Sequence, residues 1–202
     1  MNEKKDHFAH KAKDYEKEAP RVNNVKNIAN GVLKNIIFTK EMNVMDFGSG
    51  MGLLTSQIAP HVSKITCVDM SKSMNEVLKS KQDDYPCKLE VLELDLSKEI
   101  IDKKFDSIIS SMTIHHIEDI LTLFKKFYTM LNENGTIGLA DLETEDGSFH
   151  SEDTGVFHFG FNQEEFLQKA KNAGFKDLKI EIVSVASKPH GDFPIFLLTG
   201  RK

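Results

Sequence analysis

Val44 to Thr55 read VMDFGSGMGLLT, an apolar strand running into a glycine-rich turn and out into a helix. Gly48, Gly50 and Gly52 alternate with other residues, so backbone N–H groups can approach a bound group with no Cβ in the way. A turn of this kind needs a parallel sheet whose strand ends open toward it. A dinucleotide fingerprint would put its third glycine at position 53, where Leu53 stands. The actual spacing is D-x-G-x-G-x-G, starting at Asp46. A carboxylate there would repel a pyrophosphate at short range but tolerate an ammonium or sulfonium. The expected ligand therefore carries a cationic, amino-acid-like part.

The rest of the chain supplies such a sheet. Short β-rich runs fall at Asn43 to Gly48, Lys64 to Met70, Lys88 to Leu94, Phe105 to Met112 and Thr136 to Leu142. Helical patterns lie between and after them. Leu53 to His61 follows the glycine turn, and Ser71 to Asp83 opens on an N-capping serine. Ile117 to Leu131 builds one apolar face, and Asn162 to Ala173 has Glu165 in capping-box spacing and stops at Gly174. Strand–helix alternation of this kind predicts a parallel sheet covered on both faces. Leu178 to Ala186 and Phe193 to Gly200 have only Ser187 to Asp192 between them, which predicts an antiparallel hairpin. The expected fold is α/β, a doubly wound, seven-stranded, mostly parallel sheet closed by that hairpin. Residues 1–40 read as a helical N-terminal cap, residues 41–202 as the binding domain, and residues 143–161 as an insertion on its acceptor side.

Two more carboxylates follow strand ends. Asp69 stands about 20 residues after the first glycines, where a carboxylate can accept both hydroxyls of a ribose. Met70 beside it can lie on a purine face. Asp95-Leu96 ends the third run, with a carboxylate for an exocyclic amino group and an N–H for a ring nitrogen. Asp46 to Gly52, Asp69-Met70, Asp95-Leu96 and Phe105 to Ile109 together resemble the successive motifs of class I S-adenosylmethionine-dependent methyltransferases. The terminal hairpin matches the reversed last strand of that fold. The resemblance implies S-adenosylmethionine as cofactor and S-adenosylhomocysteine as product. It implies that Gly48, Ser49 and Gly50 lie against the methionine part, Asp69 holds the ribose, and Asp95 and Leu96 hold the adenine. Ser111 would offer its carbonyl to the cofactor amino group.

Bulk properties narrow the acceptor. The 202 residues carry 26 basic and 31 acidic side chains, a net charge of -5, with no basic stripe for a nucleic-acid backbone. A small-molecule acceptor is favoured over nucleic acid. Methylation of a macromolecule such as tRNA or protein stays open, as does a non-catalytic cofactor-binding regulator. Two cysteines, Cys67 and Cys87, make no disulfide framework and no C-x-x-C. The apolar runs are too short to cross a bilayer, and no signal-like run follows Met1. A cytoplasmic protein is expected, as monomer or homodimer, without a metal.

The acceptor side is less patterned. His115 and His116 follow the fourth run, where an imidazole can serve as a base near neutral pH. The base-amino signatures N-P-P-Y and D-P-P-Y are missing there, and Pro86-Cys87 lies too early to be a cytosine-type nucleophile. Glu143 to Phe161 holds His150, His158 and four phenylalanines in a connection too long for a tight turn. His150, His158 and Phe159 are candidates for an acceptor pocket. Tyr15, on one helical face with Phe8 and Ala12, is a candidate lid contact.

Overall fold

The computed structural model describes residues 19–150 and 155–202. Tyr15, with the rest of residues 1–18, lies outside the described residues, as do residues 151–154 of the insertion. The element order is α1 (Ala19–Asn35), β1 (Asn43–Phe47), α2 (Leu53–Ile58), β2 (Lys64–Asp69), α3 (Lys72–Ser80), β3 (Lys88–Glu93), β4 (Phe105–Ser111), α4 (Ile120–Met130), β5 (Leu131–Leu142), α5 (Gln163–Asn172), β6 (Lys176–Lys188) and β7 (Gly191–Arg201).

The seven strands form one sheet in the order β3-β2-β1-β4-β5-β7-β6. β1 to β5 pair in parallel, while β7 runs antiparallel to both β5 and β6. The expected doubly wound sheet with a reversed hairpin is the fold observed. Strand order turns back between β1 and β4. In open α/β sheets a ligand crevice forms outside the carboxyl ends of the strands at such a point.

Alternation along the central strands explains how one sheet buries two faces. Met45, Phe47 and Ile108 join α4 and α5 through Phe124, Phe127 and Phe166 on one side. Val44, Ile109 and Ala140 join Ile28, Val32 and Leu54 on the other. Neighbours in sequence thus enter opposite cores, as a side-chain period of two requires.

From Ala19 on, the N-terminal segment is a sheet-covering helix. Ile28, Ala29, Val32 and Ile36 are buried. A Cβ on Gly31 would stand 2.7 Å from Val183 Cγ1 on β6, so the helix backbone lies close against the sheet. Among the described residues no helix is long and apolar enough to cross a membrane.

Several boundaries differ from the pattern-based expectation. The helix expected from Ile117 begins at Ile120, because the Asp119 side chain accepts the Thr122 N–H and fixes the cap there. Ile114–His116 form a 3-10 turn instead, ending at an extended Ile117. Helix α2 stops at Ile58 and passes into a 3-10 turn, Ala59–His61, that contains Pro60. Residue 60 has no N–H to continue an α-helical ladder. The terminal hairpin is tighter than expected, with pairing carried on to Lys188 and Gly191. The serine and asparagine caps formed as read: Ser71 accepts from Met74 N, and Asn162 accepts from Glu164 N and Glu165 N. Gly174 follows α5 with φ 109°, a conformation that L side chains rarely adopt.

Candidate functional site

The glycine turn sits at the switch point and is held from both sides. Gly48 N donates to Val68 O at 2.7 Å, and Ser49 N to the same carbonyl at 3.3 Å. Gly48, Gly50 and Gly52 have φ of 70°, 52° and 87°, so all three use left-handed backbone. Among the described residues, a Cβ on Gly50 would meet nothing within 4 Å. Ser49 is buried.

Asp69 ties this turn to the start of α3. One carboxylate oxygen accepts Gly50 N and the other accepts Ser71 N, both at 2.8 Å. Asn75 Nδ2 donates to the Asp69 carbonyl at 2.9 Å. Each carboxylate oxygen is thereby tied to a backbone N–H, which fixes the orientation of the group. Met70, next along, is 53% exposed at the same mouth.

Asp46 lies elsewhere than a ligand-facing carboxylate would. It is buried, and accepts the Thr55 hydroxyl at 2.5 Å, with Cys67 Sγ 3.5 Å from that same hydroxyl. Burial pushes its carboxyl up to about 7, against the opposing effect of the Thr55 hydrogen bond. Burial likewise pushes the Cys67 thiol up, which makes it an unreactive core residue. Asp95 closes a local turn: its carboxylate accepts Ser97 N at 3.1 Å and Ser97 Oγ at 2.5 Å, and pairs with Lys98 Nζ at 3.3 Å. Leu96 is buried, and its carbonyl accepts Lys126 Nζ at 2.6 Å.

After β4 the chain turns sharply through Met112, a non-glycine residue at φ 57°. That turn lays Thr113 onto the glycine loop. Its hydroxyl reaches Gly48 O at 3.3 Å and Ser111 O at 3.1 Å. The Ser111 carbonyl and Gly48 carbonyl thus converge on one donor. Ser111 Oγ is buried with no partner among the described residues.

The histidines divide into two groups. His115 is buried, with Nδ1 2.7 Å from Asp141 Oδ1 and its backbone N–H 3.1 Å from Asp141 Oδ2. The carboxylate makes Nδ1 the protonated nitrogen and leaves Nε2 as an acceptor. Nε2 is buried without a hydrogen-bond partner among the described residues. The rings of His116 and His150 pack against the His115 ring, at centroid distances of 4.3 and 5.2 Å. His116 Nδ1 lies 3.4 Å from Gly155 O.

His158 and Phe159 do not join that group. His158 Nε2 donates to the carbonyls of Ile117 and Glu118 at 3.0 and 3.2 Å. Phe159 is 54% exposed, its ring set against Gly147. The described parts of the insertion are pinned by backbone hydrogen bonds. Glu145 N donates to Phe159 O, Thr144 N to Phe161 O, and Phe157 N and His158 N both donate to His115 O. Among the described residues no group of three His, Cys, Asp or Glu side chains is placed to hold a metal ion.

Sequence reasoning missed Asp141 and Thr113 as parts of this site. A carboxylate inside an apolar run at a parallel strand's carboxyl end was the available signal for Asp141. Nothing local marks Thr113, whose place depends on the turn at Met112.

Comparison with known proteins agrees with this geometry. Residues 45–139 match the family model described as a methyltransferase domain. A methyltransferase of Schizosaccharomyces pombe is 29% identical over 157 residues, 69% of this chain and 55% of that protein. The malonyl-[acyl-carrier protein] O-methyltransferase 1 of Ilyobacter polytropus is 32% identical over 103 residues, 50% of this chain and 38% of its own. The chain thus spans about half the length of the curated relatives it matches. A chain of the complex between the Haloferax volcanii Trm112 methyltransferase activator and a methyltransferase superposes with a TM-score of 0.78. That match covers 98% of this chain and 99% of the other, and at 15% identity it is a likeness of fold. With a glycine turn at the switch point, a reversed last strand and a methyltransferase-domain match over residues 45–139, the chain resembles the class I S-adenosylmethionine-dependent methyltransferases in sequence and in fold.

Proposed function

We propose that this protein transfers the methyl group of S-adenosylmethionine to a small-molecule acceptor at oxygen, nitrogen or sulfur. The observation that carries this is Asp69, clamped between Gly50 N and Ser71 N at the glycine turn. In that role Gly48, Ser49 and Gly50 take the methionine part and Asp69 takes the ribose. Asp95 and Leu96 take the adenine, with Met70 over its face. Ser111 O accepts the ammonium once Thr113 yields it. Asp46, under the turn, supports the loop through its hydrogen bond with Thr55. The sulfonium is already a good leaving group, so the protein's task is to align the acceptor with the methyl and exclude water. His115, His116 and His150 border that space, and Tyr15, His158 and Phe159 would shape its outer wall.

Binding tests this directly. Titration calorimetry should show S-adenosylmethionine and S-adenosylhomocysteine binding, and NAD binding far more weakly or not at all. Asp69→Ala should weaken the cofactor by about 1.5–3 kcal/mol for each charge-assisted bond lost. An unchanged dissociation constant would make Asp69 a loop brace only.

A second reading, a macromolecular acceptor, draws on two of the comparisons. One relative is named for a malonyl group on an acyl-carrier protein, and the Haloferax volcanii likeness comes from a complex with an activator protein. Acidic net charge favours a protein-borne acceptor over RNA within that reading. Release of S-adenosylhomocysteine with a carrier-protein substrate, and with no free acid or alcohol, would select it.

A further inference from the structure

Asp141 and His115 form a pair that cofactor binding alone does not require. Both side chains are at most 2% exposed. Asp141 spends its two oxygens on His115 Nδ1, His115 N and Leu142 N, at 2.7, 3.1 and 2.8 Å. The imidazole is therefore held at two points, its backbone and its ring, by one carboxylate. Such a clamp sets both tautomer and direction. What it directs is Nε2, a buried acceptor with no donor among the described residues.

An unpaired polar atom in a core is costly, and a fold has little reason to spend a carboxylate aiming one. A core histidine kept for packing would turn Nε2 to a carbonyl or hydroxyl, as His158 turns its own to Ile117 and Glu118. Position adds to this. His115 lies four residues past Ser111, at the carboxyl end of β4, and Asp141 is at the carboxyl end of β5. Ser111 pairs with Ala140 across those strands, next to Asp141. The pair thus stands on the acceptor side of the crevice, one strand away from the glycine turn.

We propose that His115, positioned by Asp141, receives the proton of the methyl acceptor, and that this site takes neutral O–H or N–H acceptors of the phenol, alcohol or amine class. This rests on the reading of the protein as a methyl-transfer enzyme. The acceptor oxygen or nitrogen attacks the methyl carbon, and its lone pair becomes the new O–CH3 or N–CH3 bond. The S–CH3 bond breaks with its electron pair going to sulfur, which leaves the neutral thioether of S-adenosylhomocysteine. The acceptor proton passes to His115 Nε2, and the imidazolium so formed faces the Asp141 carboxylate until water takes the proton away. A carboxylate or thioether acceptor has no proton to lose and would gain nothing from this pair. His115 is then a catalytic residue and Asp141 a positioning residue. The rings of His116 and His150 lie against that imidazole.

The test uses the full chain with S-adenosylmethionine and a series of phenols, read as S-adenosylhomocysteine release. The series runs from phenol, neutral in the assay, to para-nitrophenol at a pH where it is already ionised. Acetate and a dialkyl thioether form a second arm. Wild-type protein should turn over the phenols and neither member of the second arm. His115→Ala should lower kcat for neutral phenol by about 100-fold or more, and for the pre-ionised phenol by only a few-fold. Asp141→Asn should lower kcat for neutral phenol by at least about tenfold with KM changed little, since it disturbs the tautomer and not the space. Nitrogen-15 NMR of the S-adenosylhomocysteine complex should show His115 protonated at Nδ1 and bare at Nε2, and Asp141→Asn should remove that preference. His115→Gln replaces His115→Ala if the latter no longer binds S-adenosylhomocysteine.

An equal loss for neutral and ionised phenols would make His115 structural and overturn the proposal. So would full activity of the variant, turnover confined to the second arm, a protonated Nε2, or a silent panel beside intact cofactor binding. If neither S-adenosylmethionine nor S-adenosylhomocysteine binds the wild-type chain, the methyl-transfer reading itself fails, which is a separate result.

Discussion

The proposed cofactor half and the proposed acceptor half of the crevice are built differently. The cofactor half is local. Its turn bonds span few residues or join adjacent strands, as with Gly48 N to Val68 O and Asp69 to Gly50 N and Ser71 N. The acceptor half is assembled across the chain. His115 meets Asp141 26 positions later, and His158 reaches back 41 positions to Ile117. A half made of short-range turns is specified by glycine spacing and strand ends, and can serve many related proteins unchanged. A half made of distant side-chain pairs can change with a few substitutions, which is where acceptor choice belongs.

Glycine substitutions should separate the halves most sharply. Gly160 has φ 68°, and a Cβ there would stand 1.9 Å from the Glu143 carbonyl oxygen. Backbone cannot step aside, so Gly160→Ala should cost about 4 kcal/mol or more, strain of ~1–3 adding to the clash. Gly48 has φ 70°, and a Cβ there would meet the Thr113 side chain at 2.1 Å. Thr113 can rotate away, so Gly48→Ala should cost about 1–3 kcal/mol of stability while cofactor affinity falls steeply. Urea denaturation and calorimetry would check both. A larger stability loss at Gly48 than at Gly160 would break the contrast.

The buried carboxylate under the turn gives a smaller and pH-dependent effect. Asp46 titrates near its ordinary value of about 3.9 when unfolded. In the fold, burial raises it to about 7. The folded chain therefore holds this proton longer. The resulting stabilisation is complete below about pH 4 and is lost as pH rises to about 7, by a few kcal/mol at most. Asp46→Asn, which keeps the neutral form, should lack that decline in the ligand-free protein. Parallel pH–stability curves for the two proteins would remove Asp46 as the cause.

The smallest expected effect sharpens the comparison by equality. Ser71 caps α3 on the cofactor side, and Asn162 caps α5 on the acceptor side. Alanine at either should cost about 1 kcal/mol, since each removes one local cap of the same kind. A much larger loss at Asn162 would mean that the cap also carries the docking of residues 155–161.

What could be read in advance follows the same division. The glycine turn, the caps at Ser71 and Asn162 and the terminal hairpin are all written in short spacings, and each formed. Asp46 was legible as a residue of the motif but not as a buried group, because its partner Thr55 is supplied by the next helix. Asp95 was legible as a strand-end carboxylate, while its turn with Ser97 and Lys98 appeared only in the structure. Helix α4 shifted by three residues because apolar periodicity does not see the cap that Asp119 forms. His115 and His116 were equivalent as neighbours in sequence. Only the pairing of β4 with β5 gave one of them a buried carboxylate and left the other beside Gly155.

The sequence by itself determined the sheet, its reversed last strand and the cofactor half. Period-two burial, glycine turns and helix caps are decided within a few residues, and the physics acting there is steric and local. Only the tertiary structure decided the acceptor half: which histidine is aimed, by which carboxylate, and that His158 and Phe159 lie outside the histidine cluster around His115. Those contacts arise when strands and connections distant in sequence pack together, and no short spacing encodes the outcome.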